Sequence, residues 1–188
     1  KSTRTTVKVA AAADLQFAFP ELIQKFQVEQ PNIDVQVTFG SSGNLFTQLS
    51  QQAPFDIFFS ADISYPRKLI EQGQADRNSE LQYAIGHLVV WVPEQSPIDV
   101  ERLGIQALLD PAARKIAIAN PRHAPYGRAA EAALKSLGIH DQVVDKLVLG
   151  ENISQTAQFV ESGAADIGII ALSLALAPGL QENGRFWQ

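Results

Sequence analysis

Residues 39–44 read FGSSGN, two serines bracketed by glycines, where an alternating run (DVQVTFG) gives way to a helix-like one (LFTQLSQQ). Such a turn can carry a nucleophile, cradle a phosphate, or do neither. A serine-hydrolase elbow needs G-x-S-x-G, and here the second glycine arrives one residue too early. A P-loop needs a lysine and a wider glycine spacing, and no G-x-G-x-x-G occurs in the chain. His87, His123 and His140 lack the H-x-x-x-H spacing of a metal pair, so solvated or hydrogen-bonded surface roles are expected for them. Nothing marks a serine as activated for a Ser–His–Asp triad. Asp56 and Asp62 flank FDIFFSAD as carboxylates available for acid–base work. However, Asp62 falls where a helix N-cap would, and Asp56 abuts a strand, as does Asp166. Structural roles account for all three. Asn152-Ile153-Ser154 matches a glycosylation acceptor, a motif short enough to arise by coincidence. With no catalytic constellation visible, the chain is not read as an enzyme.

The 188 residues are 46% hydrophobic, enough to bury one or two cores. A net charge of −5 with no Lys/Arg block argues against a nucleic-acid partner. The absence of cysteine excludes disulfides, thiolate metal sites and Cys nucleophiles, and decides nothing about compartment. No apolar run approaches the length of a membrane span. The first residue is Lys1 and there is no methionine, so a processed N-terminus is expected, with a removed signal peptide as one natural cause.

The elements that must position any site follow from periodicity. Residues 7–13 (VKVAAAA) read as a buried strand running into a loop at Asp14. Phe19, Leu22, Ile23 and Phe26 recur at helical spacing, with Pro20 in the first turn. Residues 34–39 alternate as a strand with Val35, Val37 and Phe39 on one face. A short helix over 44–52, a strand over 55–59 and a helix ending at Gly73 come next. Strands are expected at 88–92, 115–119 and 166–171. Helices are expected at 127–137 and 154–162, stopped by Gly138 and Gly163. This alternation predicts an α/β chain with a parallel or mostly parallel sheet. QYAIGHL, residues 82–88, is the candidate crossing between two lobes, and the last stretch, APGLQENGRFWQ, reads as a loop.

One arrangement recurs: a strand, a short polar or glycine-containing loop, then a helix. It occurs at Ala13-Asp14, at 40–43 (GSSG), at 120–127 (NPRHAPYG) and at 150–154 (GENIS). Helix N-termini present unpaired N–H groups and partial positive charge, so several converging on one point bind an anion without lysine or arginine. Ser41 or Ser42 adds a hydroxyl donor and Tyr126 a phenolic one. Against this, every α/β protein has such joints and most bind nothing.

The runs VAAAADL, FGSSGNLFTQL, APFDIFFSAD followed by YPRKL, YAIGHLVVW, IANPRHAPYGRAAEAAL and ESGAADIGIIAL together resemble the periplasmic molybdate-binding proteins, solute receptors of ATP-binding-cassette importers. The resemblance is collinear over nearly the whole chain, and FFSAD with a downstream NP-x-x-APYG is its specific part. It implies a two-lobed, type II periplasmic-binding-protein-like α/β fold with a ligand cleft between the lobes. Residues 1–83 would form lobe 1, and 84–188 lobe 2 with a crossover back toward lobe 1. The implied ligand is molybdate or tungstate, held as an oxyanion by neutral hydrogen bonds, with no cofactor and no direct cation ligands. By motif, the site residues are Ala13 and Asp14 in the first loop, Ser42 as hydroxyl and N–H donor, Tyr126, and Ile153 as a backbone donor. The implied setting is periplasmic or extracytoplasmic, with an importer's membrane permease as partner. A monomer is expected unless another chain completes the first lobe.

Three departures accompany the resemblance. Many relatives place serine or asparagine where this chain has Asp14, whose carboxylate would repel a dianion in a dry cleft. The carboxylate turning away as an N-cap is the favoured resolution; a protonated, donating carboxyl and a different ligand are the others. Some members have a tyrosine donor where Ala171 stands. Relatives also continue past the FW region to complete the first lobe, whereas this chain stops at Gln188. A receptor for sulfate, phosphate or a small organic anion, and a ligand-sensing effector domain of a transcription regulator, remain alternatives.

Overall fold

Three alanines end the first strand, β1 (Thr5–Ala12), and together with Val9 they are buried on both faces. Such a strand belongs in the middle of a sheet, and β1 pairs on both sides. It runs parallel to β2 (Ile33–Gly40) and to β3 (Ile57–Phe59), giving the order β2-β1-β3. The computed structural model describes residues 4–188, which divide into two units at the Ile85–Gly86 peptide, and this sheet is the first unit's. Helices α1 (Ala18–Glu29), α2 (Ser42–Ser50) and α3 (Ser64–Glu71) connect and follow the strands.

Val9, Ala11 and Phe19 form the buried centre of this unit, surrounded by Val35, Val37, Phe39 and Phe59 among others. Phe19 meets the rings of Phe39 and Phe59 edge-on, with centroids 5.9 and 5.0 Å away, the favoured geometry for aromatic pairs. The apolar stripe expected on α1 is only half used. Phe19 and Ile23 pack inward, while Leu22 and Phe26 are 55% and 39% exposed. A sheet of three strands, one of them three residues long, covers only part of a twelve-residue helix.

The second unit holds β4 (Leu88–Pro93), α4 (Val100–Leu103), β5 (Ile116–Ala119), α5 (Pro125–Ser136), α6 (His140–Val143), β6 (Leu147–Gly150), α7 (Ile153–Glu161), β7 (Ile167–Ala171), α8 (Leu172–Ala175), α9 (Pro178–Glu182) and β8 (Gly184–Trp187). Its sheet has the order β6-β5-β7-β4-β8. The β5 strand is parallel to β6 and β7, whereas β4 is antiparallel to both β7 and β8. The expectation of a mostly parallel sheet therefore holds for the first unit and half of the second. Its core is larger, built on Val90, Val92, Ile98, Leu108, Ile116, Ile118, Leu134, Ile167 and their neighbours.

The expected terminal loop is corrected: residues 178–187 form α9 and then β8. Four residues carry no readable alternation, and their strand state comes from partners distant in sequence. Gly184 lies against the Trp91 indole, where a Cβ would clash, and Trp187 packs on Gly104. Arg185 donates from Nη2 to the Ser96 carbonyl at 3.0 Å, with its Nε 3.8 Å from the Glu94 carboxylate. The strand that the GENIS joint implies is β6, whose bounds LVLG is too short to show by periodicity. The glycine stops are as expected: Gly73, Gly138 and Gly163 sit at φ of 71°, 68° and 76°, a conformation glycine reaches without strain. Among the described residues no helix is long and apolar enough to cross a membrane.

Candidate functional site

In the first unit, pairing puts three loop starts on one edge of the sheet. Ala12 lies opposite Gly40 and Ala11 opposite Phe59, so residues 13–14, 41–42 and 60–61 all leave from the carboxyl ends of parallel strands. This edge is where open α/β sheets bind ligands. Ser41 is the N-cap residue of α2 in an extended conformation, with no side-chain cap bond, and its carbonyl accepts the Leu45 N–H. Ser42 is the first helical residue and only 1% exposed. Its Oγ accepts the Ala61 N–H at 3.0 Å. A hydroxyl that accepts on one lone pair still has its own proton to donate. The Ser42 and Gly43 N–H groups precede the helical ladder, at the positive end of the helix dipole.

Asp14 is buried in a 3-10 turn over Ala13–Leu15, immediately after β1. It is not the N-cap residue of α1, a position held by Phe17, so the expected capping role is corrected. The chain needs a three-residue turn and a bend before α1 begins, which places Asp14 too early to cap it. The Tyr83 phenol lies close enough to feel Asp14: burial first, and the Asp14 charge second, push its pKa up to about 12. Tyr83 stacks edge-on to Phe59 with centroids 5.3 Å apart and donates to the Ser60 carbonyl at 3.3 Å.

In the second unit the same logic joins β5 and β6. Ala119 lies opposite Gly150, and the Asn120 N–H bonds the Gly150 carbonyl at 2.8 Å, so residues 120–125 and 151–152 depart together. Helix α5 starts with Pro125 in the first turn and no side-chain cap bond, and Tyr126 follows, almost fully buried. A Cβ on Gly127 would run into the Ala119 carbonyl, so glycine lets the start of α5 press against the end of β5. The Tyr126 hydroxyl lies over Gly86, which likewise has no room for a Cβ.

At α7 the cap is explicit. Asn152 Oδ1 accepts the Ser154 N–H at 3.0 Å and the Gln155 N–H at 2.9 Å, and the Thr156 N–H closes on the Asn152 carbonyl. That leaves the Ile153 N–H as the first-turn donor to which neither cap nor chain gives an acceptor. Ile153 as a whole is 3% exposed, and its apolar side chain carries no donor, so only its backbone N–H could serve a ligand. Ala171, buried at the end of β7, brings no side-chain donor.

The structure thus brings Ala13, Asp14 and Ser42 to one sheet edge of the first unit, and Tyr126 and Ile153 to one sheet edge of the second. Sequence reasoning missed Ala61, Asn152 and Tyr83. Asn152 was readable, being an Asn directly before a helical run. Ala61 carries no signal, because only its N–H is used. The carboxylates set aside have structural partners: Asp62 accepts the Ser64 N–H, Asp56 the Lys8 N–H, and Asp166 the N–H groups of Arg114 and Lys115. His123 lies 3.6 Å from the Glu151 carboxylate, and His140 lies between Asp141 and Glu131. No cluster of three or more His, Cys, Asp or Glu fit to hold a metal occurs among the described residues.

The sequence profile of the bacterial extracellular solute-binding proteins matches residues 7–188. The chain belongs to that family. This solute-binding protein is 36% identical over 181 residues to the molybdate-binding protein ModA of Rhodobacter capsulatus, covering 96% of the chain and 69% of that relative. It is 34% identical to ModA of Azotobacter vinelandii, covering 96% of the chain and 70% of that relative. The solved periplasmic molybdate-binding protein of Azotobacter vinelandii superposes with a TM-score of 0.81 at 35% identity, over 88% of this chain and 71% of that one. The α/β periplasmic-binding fold expected from the sequence is borne out by that match.

Proposed function

We propose that this solute-binding protein captures a tetrahedral oxyanion, molybdate or tungstate, outside the cytoplasm and delivers it to the membrane permease of an ATP-binding-cassette importer. The observation that carries the reading is Ser42. Its buried hydroxyl is fixed as an acceptor toward Ala61, and so as a donor toward anything beyond, at an uncapped helix start. The Ile153 N–H, left over by the Asn152 cap, is a donor of the same kind. Both are neutral, as are the backbone groups of Ala13 and Tyr126 assigned with them. Neutral donors suit a ligand that must be released again, since a buried carrier cation would hold a dianion more strongly. Capture makes and breaks no covalent bond. The similarity to molybdate-binding relatives over nearly the whole chain supports this ligand over other anions.

Thermal unfolding with added molybdate, tungstate, sulfate and phosphate tests the assignment. At a ligand concentration 100 times Kd, binding raises stability by about 2.7 kcal/mol, so the transition should move upward with molybdate and tungstate. A shift with sulfate or phosphate alone would reassign the ligand.

A further inference from the structure

We propose that Tyr83 is a positioning residue for the anion site, acting through the Ser60–Ala61 peptide to hold the Ser42 hydroxyl as a donor. The inference rests on the functional reading of Ser42 above. One peptide group carries both bonds: its carbonyl, on Ser60, accepts the Tyr83 hydroxyl at 3.3 Å, and its N–H, on Ala61, donates to Ser42 Oγ at 3.0 Å. The peptide is planar and conjugated, so a donor on the oxygen makes the N–H a better donor in turn. An N–H aimed at Ser42 Oγ repels the serine's own proton from that side and turns it outward.

The neighbours hold this relay in place. Ser60 Oγ is engaged with Asp62, donating to its carbonyl at 2.8 Å and accepting its N–H at 3.2 Å, which fixes the turn after β3. The edge contact with Phe59 sets the Tyr83 ring. Tyr83 is only partly buried, at 43% exposed; that burial first, and the charge of Asp14 second, raise its pKa above the ordinary value, so the phenol is a protonated donor at neutral pH. Tyr83 lies two residues before the end of the first unit, so the segment leaving that unit also braces its donor loop.

Tyr83→Phe keeps the ring and removes the hydroxyl. In ligand-free protein, the Ala61 amide proton should move upfield and exchange faster in 1H–15N spectra, while thermal unfolding confirms that the fold is kept. Molybdate affinity should fall about three- to tenfold, and Tyr83→Phe should cause no further loss in a Ser42→Ala background. An unmoved Ala61 amide would overturn the relay, as would an equal loss of affinity in both backgrounds. If the wild-type protein binds no molybdate, the functional reading fails, and the ligand-free amide comparison still decides the relay.

Discussion

Ser42 accepts from Ala61 and keeps one proton for a ligand, so its removal acts on binding more than on the scaffold. Ser42→Ala should weaken molybdate binding by about 1.5–3 kcal/mol, the range for a hydrogen bond to a charged group, or roughly 10- to 150-fold. It also leaves the Ala61 N–H without its acceptor, so a small fall in the unfolding temperature should accompany the loss. Asp14 stands in the same donor edge with the opposite sign of charge. Two like unit charges about 4 Å apart repel by about 4 kcal/mol at an effective dielectric of 20. Asp14→Asn should therefore retain or strengthen binding in the same titration, and a loss beyond tenfold would show direct use of the carboxylate. Tyr83 gives a pH signature. Its pKa is raised from 10 to about 12 in the folded state, so the unfolded chain ionises first. The stability tied to the neutral phenol is intact below pH 10 and is lost as pH rises toward 12, a fall that Tyr83→Phe should blunt.

Helix starts, rather than charged side chains, carry the candidate donors of each unit, and most of them were legible. GSSG, NPRHAPYG and GENIS mark the starts of α2, α5 and α7, and the glycine stops mark the ends of α3, α5 and α7. The short helices α4, α6 and α8, four residues each, are too brief to show a helical period, and two strands depend on distant partners. The LVLG segment becomes β6 through β5, and GRFW becomes β8 through Trp91 and the rest of β4. Asp14 was misjudged for a related reason: capping is the common role of Asp near a helix start, but the 3-10 turn delays α1 until Ala18. The cap on α7 is separable from the donor it leaves over. Asn152→Ala should lower stability by about 1 kcal/mol in chemical denaturation. It frees two further N–H groups, so affinity should change less than with Ser42→Ala.

At the scale of the whole molecule, the two units differ in how much apolar surface they bury. Val9, Ala11 and Phe19 are the buried centre of the first, against fifteen buried residues in the main core of the second. Local opening follows such differences. Amide hydrogen exchange should accordingly be slowest in β4, β5 and β7 and faster in β2 and β3, with ligand slowing exchange at Ser42, Ala61 and Ile153. The central claim, capture of a tetrahedral oxyanion by neutral donors, is tested most directly by calorimetric titration at neutral pH with molybdate, tungstate and sulfate. The account predicts one-to-one binding of molybdate and tungstate, with sulfate far weaker. Absence of heat with both molybdate and tungstate, or equal affinity for sulfate, would contradict it.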